Sequence, residues 1–149
     1  GPNRSPLAII VPGELEALNY LKNYSSSGSI ILNVPFDPYL KDKFNKPPLP
    51  IYAWYDTPYT SAISERVSYL ASEHVTLLAY PQTKERQENM KKFFSQEDFD
   101  WNRQFLKKEK INYIYLAKDQ IKQPINLIKN NLENFFENDK VIIYHVINS

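Results

Sequence analysis

Between Trp54 and Arg66 the chain reads WYDTPYTSAISER, which gathers Asp56, Thr57, Ser61, Ser64, Glu65 and Arg66 into one short stretch. Residue types alone allow two kinds of chemistry there. A serine nucleophile needs a histidine base and an orienting carboxylate, and Ser61, His74 and Asp56 supply the three types. The G-x-S-x-G elbow that presents such a serine in one class of hydrolases is absent. The same residues read equally as a capping aspartate, a helical serine and a surface histidine. The second chemistry is binding. Loops beyond the carboxyl ends of strands hold ligands in open α/β sheets. Tyr55, Asp56, Tyr59 and Arg66 would line a polar, aromatic crevice there, suited to stacking on sugars and hydrogen-bonding hydroxyls. Against both stands a scaffold reading, a strand-to-helix corner that Asp56 caps through backbone amides, with Pro58 fixing the first turn.

Other chemistries are excluded by composition. Only Gly13 and Gly28 follow the Gly1-Pro2 start, and neither a G-x-G-x-x-G nor a Walker sequence occurs, so no glycine-rich phosphate cradle is expected. Cysteine is absent, which removes thiol catalysis, disulfides and thiolate metal sites. The two histidines, His74 and His145, are far apart, and Asp37, Asp42 and Asp56 do not form an acidic calcium loop. No metal and no cofactor is expected. Charge is balanced, with 18 Lys and Arg against 17 Asp and Glu, which gives no electrostatic case for nucleic acid. The longest apolar runs, LAIIV and VIIY, fall far short of the roughly 20 residues of a membrane helix.

The elements that would position these residues follow from periodicity. The 149 residues suit one domain with one sizeable core. Pro12-Gly13-Glu14 opens a helix whose stripe holds Leu15, Ala17, Leu18, Leu21 and Tyr24, with Gly28 expected to end it in a left-handed turn. Ile30–Val34 reads as a buried strand, and five prolines between Pro35 and Pro50 make the next segment an irregular loop. IYAW, residues 51–54, reads as a strand and VSYL, 67–70, as another; residues 73–80 fit strand or helix. QTKERQENMKKFF predicts a charged helix with Met90, Phe93 and Phe94 on one side, and Ser95 with Asp98 suggests a capping box for the next. INYIYLA is a strand. Ile125, Ile128, Leu132, Phe135 and Phe136 recur at helical spacing from Pro124 onward, and VIIYHV closes the chain as a strand, with His145 on a sheet face. Strands separated by helices predict a three-layer, Rossmann-like α/β domain over residues 12–149, with a mostly parallel sheet, helices on both faces and an antiparallel terminal edge strand. Residues 1–11 read as a tag scar (Gly1-Pro2) and a linker.

Several segments together resemble a known family. ELEALNYLKNYSSSGSIILNVPFD, PLPIYAWYDTPYTSAISERVSYL, FLKKEKINYIYLAK and FFENDKVIIYHV are similar to the C-terminal soluble tail of bacterial multi-spanning membrane proteins of the GT-C glycosyltransferase superfamily. The resemblance covers most of residues 12–147 through loose, largely hydrophobic motifs. It implies an extracytoplasmic accessory domain at a bacterial cell membrane, joined to an upstream transmembrane region, non-catalytic by itself, contributing to acceptor binding, with a glycan or lipid-linked sugar as partner. Glu65 departs from the pattern, standing where the small residue of an S-G-R-like turn is expected before Arg66. The alternative is an independent α/β binding module or small hydrolase using Asp56, Ser61 and His74.

Overall fold

A computed structural model describes residues 7–71, 80–121 and 131–147. The chain is an α/β protein built on a mixed five-stranded sheet. In chain order the main elements are β1 (Ala8–Ile9), α1 (Pro12–Tyr24), β2 (Ile30–Asn33), β3 (Leu49–Pro50), α2 (Ile51–Trp54), α3 (Tyr59–Ser64), β4 (Val67–Ser68), α4 (Tyr80–Ser95), α5 (Phe99–Lys108), β5 (Tyr113–Ala117), β6 (Leu132–Glu137) and β7 (Val141–Val146).

The large sheet runs β4-β2-β5-β7-β6. β2 is parallel to both neighbours, whereas β5–β7 and β7–β6 are antiparallel. The sheet is therefore evenly mixed rather than mostly parallel, and the terminal strand β7 lies inside it with β6 at the edge. β1 and β3 form a separate parallel pair.

Alternation along the central strands divides the core in two. Ile31, Tyr113, Tyr115, Ala117, Val141 and Ile143 join Ala17, Leu18 and Leu21 of α1 and Tyr52 and Ala53 of α2 in one cluster. Leu32, Ile114, Leu116 and Val146 join Met90 and Phe93 of α4 and Phe105 and Leu106 of α5 in the other. Asn112 pins the start of the sheet: its side-chain oxygen accepts from the Ile30 amide at 2.9 Å, and its carbonyl accepts from the Val146 amide at 2.8 Å.

Four local expectations are corrected. IYAW is one helical turn, not a strand; it is closed by the Tyr55 amide on the Ile51 carbonyl. Tertiary packing overrides β-propensity here. Tyr52 and Ala53 are buried, Trp54 donates its indole N–H to the Phe44 carbonyl at 2.8 Å, and Phe44 meets Tyr52 edge-on. Leu132, Phe135 and Phe136 belong to strand β6 instead of a last helix; Ile125 and Ile128 lie outside the described residues. Helix α1 ends at Tyr24, and Gly28 has no positive φ. Finally, Ser95 is the last residue of α4, and Asp98 itself caps α5 by accepting from the Trp101 amide at 3.0 Å.

Candidate functional site

The connections out of the parallel strands create a crevice. β2 leads through α2 and α3 to β4, on one side of it, while β4 leads through α4 and α5 to β5, on its other side. The chain thus reverses its direction of travel at β2, the topological position where open α/β sheets leave a cleft beyond their strand ends. A cleft of about 390 Å³ lies there. Asn33, Val34 and Phe36 come from the end of β2, Ser68 and Leu70 from β4 and the turn after it, and Tyr115 and Gln120 from β5 and its exit. Tyr52, Tyr55, Asp56, Tyr59 and Thr60 form the α2–α3 wall, and Gln87, Met90 and Lys91 of α4 face them.

Of the residues singled out in the sequence, Tyr55, Asp56 and Tyr59 line this cleft and Arg66 does not. Arg66 is 8% exposed and is committed to the end of α1. Its Nε donates to Ser25 Oγ at 2.7 Å, and Nη2 donates to the carbonyls of Lys22 at 2.7 Å and Ser25 at 2.8 Å. Nη1 donates to its neighbour's carbonyl, Glu65, at 3.1 Å. A guanidinium fits this role because the last carbonyls of a helix lack amide partners. Glu65 holds the left-handed turn that ends α3, at φ 57° and ψ 32°. It thus adopts the conformation a small residue would favour.

The aspartate is not a helix cap. α3 is preceded by Pro58 at the cap position, with no side-chain cap bond, and Asp56 is exposed on the rim. Ser61 is bound structurally: its hydroxyl donates to the Arg66 carbonyl at 2.5 Å. His74 lies outside the described residues. The other histidine, His145, pairs through Nδ1 with Glu133 at 2.7 Å between β6 and β7. Among the described residues no group of three or more His, Cys, Asp or Glu side chains could hold a metal ion. No helix among them is long and apolar enough to cross a membrane.

The residue that sequence reasoning missed is Glu14. It is fully buried in the first turn of α1 and sits behind the tyrosine wall. Tyr59 donates to its Oε1 at 2.5 Å and Tyr115 to the same oxygen at 2.9 Å. Oε2 is buried without a hydrogen-bond partner. Burial pushes the carboxyl above its ordinary range, and the two phenol bonds offset part of that rise. Burial also raises the phenols of Tyr59 and Tyr115, with the Glu14 carboxyl adding to the effect, and Tyr52 follows through burial, Asp119 and Glu14. All three remain protonated phenols. Asn33 continues the polar floor: its Nδ2 donates to Thr60 Oγ1 at 2.6 Å, while its Oδ1 is buried and unpartnered. The signal for Glu14 was present in the spacing. Glu14, Ala17, Leu18 and Leu21 share one helical face, and they are the buried residues of α1. Leu15 and Tyr24, placed on the stripe by hydrophobicity, are exposed.

This arrangement can bind and orient a ligand through rings, amides and hydroxyls; it pairs no nucleophile with a base among the described residues. Compared with protein-family models, curated proteins and solved structures, the chain has no match.

Proposed function

We propose that this chain is a non-catalytic saccharide-binding domain. In this reading it is the extracytoplasmic accessory domain of a bacterial multi-spanning membrane glycosyltransferase-like protein. A glycan, or the sugar end of a lipid-linked one, occupies the cleft at the carboxyl ends of β2, β4 and β5. The observation that carries the reading is the lining itself. Among the described residues Tyr55 and Tyr59 offer rings and phenol oxygens with the buried Tyr52 and Tyr115 behind them, Asn33, Gln87 and Gln120 offer amides, and one carboxylate, Asp56, accompanies one ammonium, Lys91. Aromatic faces against sugar C–H groups and neutral polar groups against hydroxyls suit an uncharged polyol. Among the described residues no arginine joins the lining, which offers a phosphate no bidentate anchor from them.

Two features support the family reading. The left-handed Glu65 keeps the geometry that an S-G-R-like turn requires, and the sheet with α1–α3 against one side and α4–α5 against the other is our Rossmann-like, three-layer interpretation. A hydrolase using Asp56, Ser61 and His74 gains no support, because the Ser61 proton is committed to a backbone carbonyl.

The test is Tyr55→Ala and Asp56→Asn, each made in the full-length membrane protein and in the isolated domain. Saccharide binding and transfer activity should both fall while the melting temperature holds. Transfer that survives both changes, or a domain that binds no saccharide, would sink the proposal.

A further inference from the structure

Glu14 does more to the cleft than stabilise its wall. Both phenols that donate to it, Tyr59 and Tyr115, line the cleft, and both donate to the same oxygen. A phenol has one proton and two lone pairs. Once its proton points at Glu14, a tyrosine has only lone pairs to offer a ligand. This holds whether the carboxyl is neutral or ionised, since Oε1 accepts in both forms. We infer that Glu14 is a positioning residue: by taking the proton of Tyr59, and of the buried Tyr115 behind it, it makes the phenol wall an acceptor surface. That wall then favours ligands that present hydroxyl or amide hydrogens over ligands that present carboxylate or phosphate oxygens, against the opposing pull of Lys91 on the facing helix.

Two neighbours act in the same sense. Asp56 on the rim can only accept when ionised, and the amide of Asn33 commits one of its two N–H donors to Thr60. Hydrogen bonds in such a chain polarise one another, so phenol oxygens whose protons are drawn inward are better acceptors. The inference rests on the saccharide-binding reading and narrows it to hydroxyl-donating faces of the sugar.

The experiment compares glucose with ligands that each differ from it in one group: glucose and N-acetylglucosamine are the neutral probes, and glucuronic acid is the anionic one. Binding is followed by tyrosine-ring NMR shifts in wild type, Glu14→Gln and Tyr59→Phe, with the fold checked by circular dichroism. Wild type should prefer the neutral probes. In Glu14→Gln the new amide donates to one phenol oxygen and turns that proton outward, so the preference should shrink by about three- to tenfold, the value of one hydrogen bond. Should that variant fail to fold, Tyr59→Phe asks the same question, because it deletes one acceptor and should weaken neutral-sugar binding by a similar factor. Wild type that binds neutral sugars, with the preference unchanged in the folded variants, overturns the inference and leaves the binding function standing. Wild type that binds no neutral sugar overturns both.

Discussion

Arg66→Ala separates a scaffold arginine from a ligand-binding one. The side chain makes three hydrogen bonds to the last turn of α1, one to Ser25 Oγ and two to carbonyls, all between 2.7 and 2.8 Å. Ser25 Oγ itself donates to the Leu21 carbonyl, so the guanidinium extends a chain of bonds that closes the helix. Bonds from a charged donor are worth about 1.5–3 kcal/mol each when their partners are left buried and empty. Full loss of three would exceed that range, but removing a long side chain also admits water to the freed carbonyls. We expect a net cost of about 2–4 kcal/mol, well above the median for exposed ion pairs. For a chain of this size that corresponds to a fall in melting temperature of about 5–15 °C. The nearby Lys22–Glu65 pair, at 3.5 Å and largely exposed, contributes little to that figure. Arg66→Lys should recover part of the loss, since an ammonium reaches one carbonyl without the planar fork. Urea unfolding followed by far-UV circular dichroism measures the stability, and saccharide titration of the folded variant measures the cleft. An unchanged midpoint together with lost binding would refute the capping role and return Arg66 to the ligand.

Further outcomes follow from other groups. Asp98→Ala should cost about 0.5–2 kcal/mol through loss of the bond to the Trp101 amide, whereas Asp56→Ala should stay within about 0.5 kcal/mol of wild type; the reverse order in urea midpoints would overturn both assignments. Leu18→Ala, at a fully buried position between α1 and the sheet, should cost about 2–5 kcal/mol, and a smaller loss would mean that the site collapses around the gap. Because burial raises the Glu14 carboxyl, the folded state keeps a proton that the unfolded chain releases above its ordinary value of 4.5. That stability is complete below this value and is lost as pH rises toward the folded one, at up to about 1.4 kcal/mol per pH unit. Urea midpoints of wild type should therefore fall relative to Glu14→Gln as pH increases through this window, and parallel curves would show that the carboxyl is not desolvated.

Much of the scaffold was legible where one period dominates. Tyr113–Ala117 and Val141–Val146 are strands because β-rich residues alternate over a buried sheet, and α4 and α5 show their apolar sides plainly. The predicted last helix gives way to a strand over Leu132–Glu137 for a specific reason. In β6 the register slips between Asn134 and Phe136, so Phe135 is an extra residue and the alternation breaks. Leu132, Phe135 and Phe136 then fall at spacings of three and four, which imitate a helical stripe. At the cleft, Tyr55, Asp56 and Tyr59 could be named because polar and aromatic residues crowd a loop. Glu14 and Tyr115 could not be paired, since 101 positions separate them and only the placement of α1 against β5 brings them together.

The split character of the sheet also orders its assembly. β6 and β7 meet across a short turn in which Asn138 Oδ1 accepts from the amides of Lys140 and Val141 at 2.9 and 2.8 Å. Pairing there spans few residues, and closing a short loop sacrifices little chain entropy. β2 joins β5 only when Ile30 reaches Asn112, 82 positions along the chain. Contacts of such long range form slowly. β2 also carries Asn33, the floor of the cleft, while Glu14 and Tyr115 lie 101 positions apart. The hairpin can thus organise from local contacts, and the cleft is complete only when these long-range contacts have been made. A ligand that occupied the cleft would therefore bind only the assembled fold and stabilise these long-range contacts.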